Sequence, residues 1–225
     1  MDAFQITSTV VKLFIVIVSS LMTYKFFMKY RENLSRAALF LFIFQFLFTI
    51  TYFFQFLIPI LYDPAIAVVE KGSDIHRMLS GLTFTLFASF EVLFMSLFSF
   101  EVYNPKRTKY LALIPLVITC LYTYAYFRYG DVLQHFDGFY EWVASPQLQL
   151  MTEILAIFSF LPGAVFLMYS IKVRRDRKRG LLLASGFLII ALFVYLFDNL
   201  SIQPPNIIVR RLFILVGLIL IWRSQ

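Results

Sequence analysis

Glu91 is the residue in this chain most exposed to a physical penalty. It stands in Phe90-Glu91-Val92-Leu93-Phe94, deep in an apolar stretch. An ionisable group inside such a stretch costs about 2.5–3.5 kcal/mol on insertion scales, so it marks a proton or cation site or a carboxyl tied to a neighbouring helix. Burial would raise the pKa of such a carboxyl. Lys12 lies in the first apolar run, Glu153 in the fifth, and Arg210-Arg211 in the seventh. Asp198 and Asn199 close the sixth run and Arg77 opens the third. Opposite charges at similar depth neutralise one another when they face a common interior. The pairs this suggests are Lys12 with Asp198, and Glu153 with Arg210 or Arg211. Together these residues outline a polar, ligand- or ion-binding pocket near one face.

Uncharged polar residues extend the pattern. Gln45, Thr49, Tyr52 and Gln55 follow helical spacing, so they share one face, and a stripe of this kind turned toward Glu91 would form a polar seam. Ser89, Ser96 and Ser99 accompany Glu91. Such groups also serve as interhelical glue. Pro59, Pro115 and Pro162-Gly163 fall in or beside apolar runs, where a missing backbone N–H bends a helix. No metal site is expected, because His76, His135 and Cys120 are the only His and Cys residues and lie far apart. No cofactor motif appears, and no nucleophile, base and orienting group share a depth, so an enzyme is the least favoured class.

The elements that must position these residues follow from composition. The chain has 225 residues, 60% hydrophobic and 15% charged, against about a quarter charged in ordinary soluble domains. The apolar runs recur along the whole length, so the surroundings must be lipid. Seven runs approach the roughly 20 residues needed to cross a bilayer, near 4–28, 37–61, 78–102, 110–127, 148–171, 181–199 and 206–223. The expected fold is an all-α, single-domain bundle of seven transmembrane helices. Strands are not expected, since the runs lack the alternation of a membrane barrel.

Orientation follows from the cations. Lys25, Lys29, Arg31, Arg36, Lys106, Arg107, Lys109, Lys172, Arg174, Arg175, Arg177, Lys178, Arg179 and Arg223 fall on one side, most of the twenty Lys and Arg in the chain. Most of the acids fall on the other. This places the N-terminus outside and the C-terminus in the cytoplasm of a multi-pass cell-membrane protein. Lys172 to Arg179 then form a cytoplasmic basic loop suited to anionic lipid or to a docking partner. Of the two long outer connections, 62–77 and 128–147, the second mixes aromatics with acids, as an interfacial segment or a lid would. Nothing favours nucleic acid.

The likeness to seven-helix sensory modules of prokaryotic membrane kinases extends to size and layout only; no motif backs it, and no family is assigned. The leading expectation is a receptor or sensor with an outward polar pocket, acting through a partner or a homo-oligomer. The alternatives are a channel or ion-coupled carrier using Glu91, and a structural or assembly subunit.

Overall fold

The computed structural model describes residues 3–61, 89–129, 131–136, 139–144, 146–172, 177–196 and 204–224. Among the described residues the fold is all-α apart from one β-hairpin. Its helices are α1 (Ala3–Asn33), α2 (Arg36–Leu61), α3 (Ser89–Tyr103), a short α4 (Thr108–Leu111), α5 (Leu113–Tyr129), α6 (Pro146–Ser159), α7 (Leu161–Lys172), α8 (Arg177–Ile190) and α9 (Pro204–Ser224). A π-helical segment, Ala191–Leu196, continues α8.

Local chemistry sets the breaks. Leu34 ends α1 with φ 47°, in the left-handed region, while its N–H bonds the Tyr30 carbonyl. Ser35 then caps α2 by accepting from the Ala38 N–H. Pro162 has no N–H to give, and the ladder falters at Phe160, whose N–H reaches back only to Ile157. That break divides α6 from α7.

Four stretches are long and apolar enough to cross a membrane: Ile6–Asn33, Arg36–Leu57, Thr108–Arg128 and Leu150–Lys172. Their outward surfaces are apolar too. Phe127, Ile157 and Ile171 are each at least 70% exposed, and Phe14 is 53% exposed. A water-facing surface rarely shows so many large apolar side chains. These features mark a membrane protein. Length and composition alone do not place the rest: the described part of α3 has 15 residues, α8 has 14, and α9 carries Arg210, Arg211 and Arg223.

Chain neighbours pack side by side, and α9 returns to pack on α1. Those two helices run parallel, because Ser8 of α1 meets Arg211 of α9 while Lys25 sits 4.8 Å from the Trp222 ring. Helix α3 touches α2, α5, α6 and α7, so it lies innermost. Its burial agrees, extending round Ser89, Glu91, Val92, Leu93, Met95, Ser96, Phe98 and Ser99. Between α8 and α9 the backbones themselves touch. A Cβ on Gly186 would stand 2.7 Å from the Gly217 carbonyl oxygen, and one on Gly217 would stand 3.0 Å from that of Gly186. Only glycine permits that approach.

The connection expected to be an interfacial segment or lid carries the hairpin. Strands β1 (Asp131–Phe136) and β2 (Phe139–Ala144) pair antiparallel, with Phe136 opposite Phe139. The strand-forming residues Val132, Tyr140, Trp142 and Val143 flank Asp137-Gly138, a dipeptide strongly associated with two-residue hairpins.

Candidate functional site

The site begins with α1. Lys12 is buried and donates from Nζ to the backbone carbonyl of Gln55, 2.8 Å away. That carbonyl is accessible for a specific reason. In an α-helix it would accept from the N–H of residue 59, but residue 59 is proline. The ammonium takes the place of the missing donor, as neighbouring groups do at membrane-helix prolines. One turn earlier on α1, the Ser8 hydroxyl accepts from a guanidinium nitrogen of Arg211, itself buried.

One turn back along α2 from Gln55 lies Thr51. Its hydroxyl donates to Glu91 Oε1 at 2.5 Å, and both residues are buried. The two ends of this arrangement therefore join. Arg211 meets Ser8, Lys12 lies a turn away and meets Gln55, and Thr51 lies a turn away again and meets Glu91. Four helices, α9, α1, α2 and α3, place two cations and one carboxyl in the half of the bundle away from the basic loop. Charge-assisted hydrogen bonds of this kind are about twice as strong as neutral ones.

Toward the other end the charged residues give way to an aromatic layer. Phe187 of α8 is the hub of an aromatic layer, with ring centroids 6.2 Å from Phe44, 6.3 Å from Phe98 and 5.9 Å from Phe166. Phe44 and Phe98 each lie seven residues, or roughly 10 Å, beyond Thr51 and Glu91 along their helices. All but Phe166 are buried. The serines of α3 that pass this level donate to their own helix: Ser96 Oγ to the Val92 carbonyl at 2.8 Å, and Ser99 Oγ to that of Met95 at 2.7 Å. Further on, Glu101 Oε2 is buried with no hydrogen-bond partner among the described residues.

Several expectations need correction. Gln45 and Thr49 face α1, not Glu91. The Gln45 amide approaches the Ser19 carbonyl at 3.5 Å, and the Thr49 and Thr23 hydroxyls lie 2.9 Å apart. Tyr52 is buried with its ring 4.7 Å from Phe48, and Gln55 contributes its backbone to Lys12. Thr51, which the spacing did not select, donates to Glu91 and lies about 100° round the helix from Tyr52. Glu153 is exposed and pairs with neither Arg210 nor Arg211 among the described residues. It lies on the outward stripe of α6 with Leu150 and Ile157, while Leu155, Ala156 and Ser159 take the inward face. Arg210 is half-buried beside Arg211.

Arg77, Asp198 and Asn199 lie outside the described residues, and with them the pairing of Lys12 with Asp198. In the basic loop, Lys172, Arg177, Lys178 and Arg179 are exposed, while Arg174 and Arg175 lie outside the described residues. No group of three or more His, Cys, Asp or Glu residues able to hold a metal occurs among the described residues.

Ser8, Thr51 and the Gln55 carbonyl are the partners that sequence reasoning missed. One of them was within reach: Pro59 frees the carbonyl four residues earlier. Comparison with family models, curated proteins and solved structures gives no match.

Proposed function

We propose that this chain crosses the bilayer seven times, N-terminus outside and C-terminus cytoplasmic, and acts as a receptor-like sensor. Its ligand site is the polar half of the bundle, around Lys12, Arg211, Glu91 and Thr51. Three features support the topology. The cation-rich ends of the helices collect at one side of the bundle, as cytoplasmic ends do. The outward helix faces are apolar. The first and last helices are parallel, as they must be when the number of crossings is odd.

One observation carries the sensor reading. The polar arrangement from Arg211 to Glu91 occupies one half of the bundle and meets the phenyl layer round Phe187, where the serines are already bonded to their own helix. A polar site backed by an aromatic layer suits binding from one side better than passage from one side to the other. Output would pass through a partner protein or a second copy of the chain.

The test uses protein in nanodiscs, screened by thermal shift against small carboxylates and phosphates, the anions that paired buried cations recognise. A stabilising compound whose effect is lost in Lys12→Met and kept in Lys106→Met supports the site. Proton or cation flux into proteoliposomes that disappears in Glu91→Gln would replace the sensor reading with that of an ion-coupled carrier. The bond between Thr51 and Glu91 is the feature that favours this second reading, since a hydroxyl at a buried carboxyl can relay a proton.

A further inference from the structure

At the basic end, three helices converge in a way the loop sequence alone does not reveal. Trp222, near the end of α9, lies against Lys25 of α1, with the ammonium 4.8 Å from the ring centroid. Helix α8 crosses the same part of α9, because a Cβ on Gly186 would meet Ile221 Cγ1 at 2.6 Å. Lys29 is one turn beyond Lys25 on α1, about 6 Å further along the axis. Arg179 is seven residues from Gly186 on α8, roughly 10 Å in the same direction. Both therefore stand just past the last turn of α9, on the two helices that flank it. In keeping with this, the charges of Arg179, Lys25 and Glu32 all act on the Lys29 ammonium. Lys29 is half-buried and Arg179 exposed.

Bringing three cations together costs Coulomb energy, which Glu32 offsets in part. A phosphate among them would offset it further. The carbonyls ending α9 take up part of the positive charge, but a neutral indole at the same level adds something a helix end does not need. Tryptophan is the side chain favoured at headgroup depth, and Lys and Arg beside it bind anionic headgroups.

We infer that Lys25, Lys29 and Arg179, with Trp222 as the wall, form a discrete site for the phosphate of an anionic phospholipid at the junction of α1, α8 and α9. This goes beyond diffuse attraction to the basic loop and is independent of the sensor reading.

Phosphatidic acid, whose headgroup is a bare phosphate, is the probe. The full chain is reconstituted in phosphatidylcholine nanodiscs doped with it, and retained lipid is counted by native mass spectrometry. One phosphatidic acid is expected to remain on the protein under conditions that strip phosphatidylcholine. Lys29→Gln with Arg179→Gln removes two contacts to the phosphate and should weaken retention about 30-fold or more. The charge-preserving double variant, Lys29→Arg with Arg179→Lys, should retain the lipid, which separates lost binding from lost folding. Lys106→Gln with Arg107→Gln, on the same side but at another junction, should also retain it. Equal loss in this control would reduce the site to general surface attraction and overturn the inference. Unchanged retention in Lys29→Gln with Arg179→Gln, or equal retention of phosphatidylcholine by the intact protein, would overturn it too.

Discussion

Replacing Lys12 by Met removes the donor that serves the Gln55 carbonyl, and Pro59 guarantees that the helix has no donor of its own to offer. The single substitution carries two opposed effects. Leaving a buried carbonyl unmet costs about 1–3 kcal/mol. Removing a charge from an apolar run recovers up to about 2.5–3.5 kcal/mol. The net sign therefore says little, and the informative quantity is the coupling to Pro59. In a Pro59→Ala background residue 59 regains an N–H and can close the ladder to Gln55, so the carbonyl no longer depends on Lys12. Lys12→Met should then be less costly by about 1–2 kcal/mol, within the range for hydrogen bonds inside membrane proteins and to charged donors. That is a factor of about 5–30 in the unfolding equilibrium. The four proteins of the cycle would be compared by reversible unfolding in mixed micelles, where the charge effect and the loss of proline rigidity cancel in the difference. Coupling below about 0.5 kcal/mol would refute the claim that Lys12 replaces the missing backbone donor.

Four further outcomes follow from the same geometry. Thr51→Val should destabilise by about 1–3 kcal/mol, since the buried Glu91 carboxyl loses a hydrogen-bond partner, whereas Thr51→Ser should stay near the parent in the same unfolding assay. Gly217→Val should cost about 1–3 kcal/mol or more by forcing α8 from α9, read as a fall in thermal unfolding temperature; a neutral result would show that the two backbones do not touch. Leu34→Gly should stabilise by about 1 kcal/mol, because φ 47° is strained for leucine and free for glycine. Glu101→Gln should be neutral or stabilising, since Oε2 has no hydrogen-bond partner among the described residues, and a marked loss of stability would mean that the carboxylate charge is needed.

The helical membrane class was legible because the apolar runs are long and repeat. The burial of Lys12, Glu91 and Arg211 was legible because each interrupts such a run. Their partners were not, and the reason is rotational. A hydropathy pattern locates a residue along a helix axis, but the neighbour it meets depends on how the helix is turned, and one residue changes that by about 100°. Tyr52 and Thr51 differ by that step, and it is the Thr51 hydroxyl that bonds Glu91 Oε1. Glu153 failed in the same way: its depth suited a pairing with arginine, yet its stripe on α6 faces outward. The hairpin was missed for another reason. Its signal is six residues on either side of Asp137-Gly138, too short to register in a pattern of membrane-length apolar runs.

The contact between Gly186 and Gly217 limits how α8 and α9 can move. Two helices separated by side chains can slide, because rotamers adjust. Here each glycine meets the other's carbonyl, with nothing between them to adjust. While the contact persists, the pair can only pivot about it. Arg211 lies six residues to one side of that fulcrum and Trp222 five residues to the other, so lever arms of roughly 9 Å and 8 Å are nearly matched. A tilt that draws Arg211 inward by one ångström swings Trp222 outward by about the same amount.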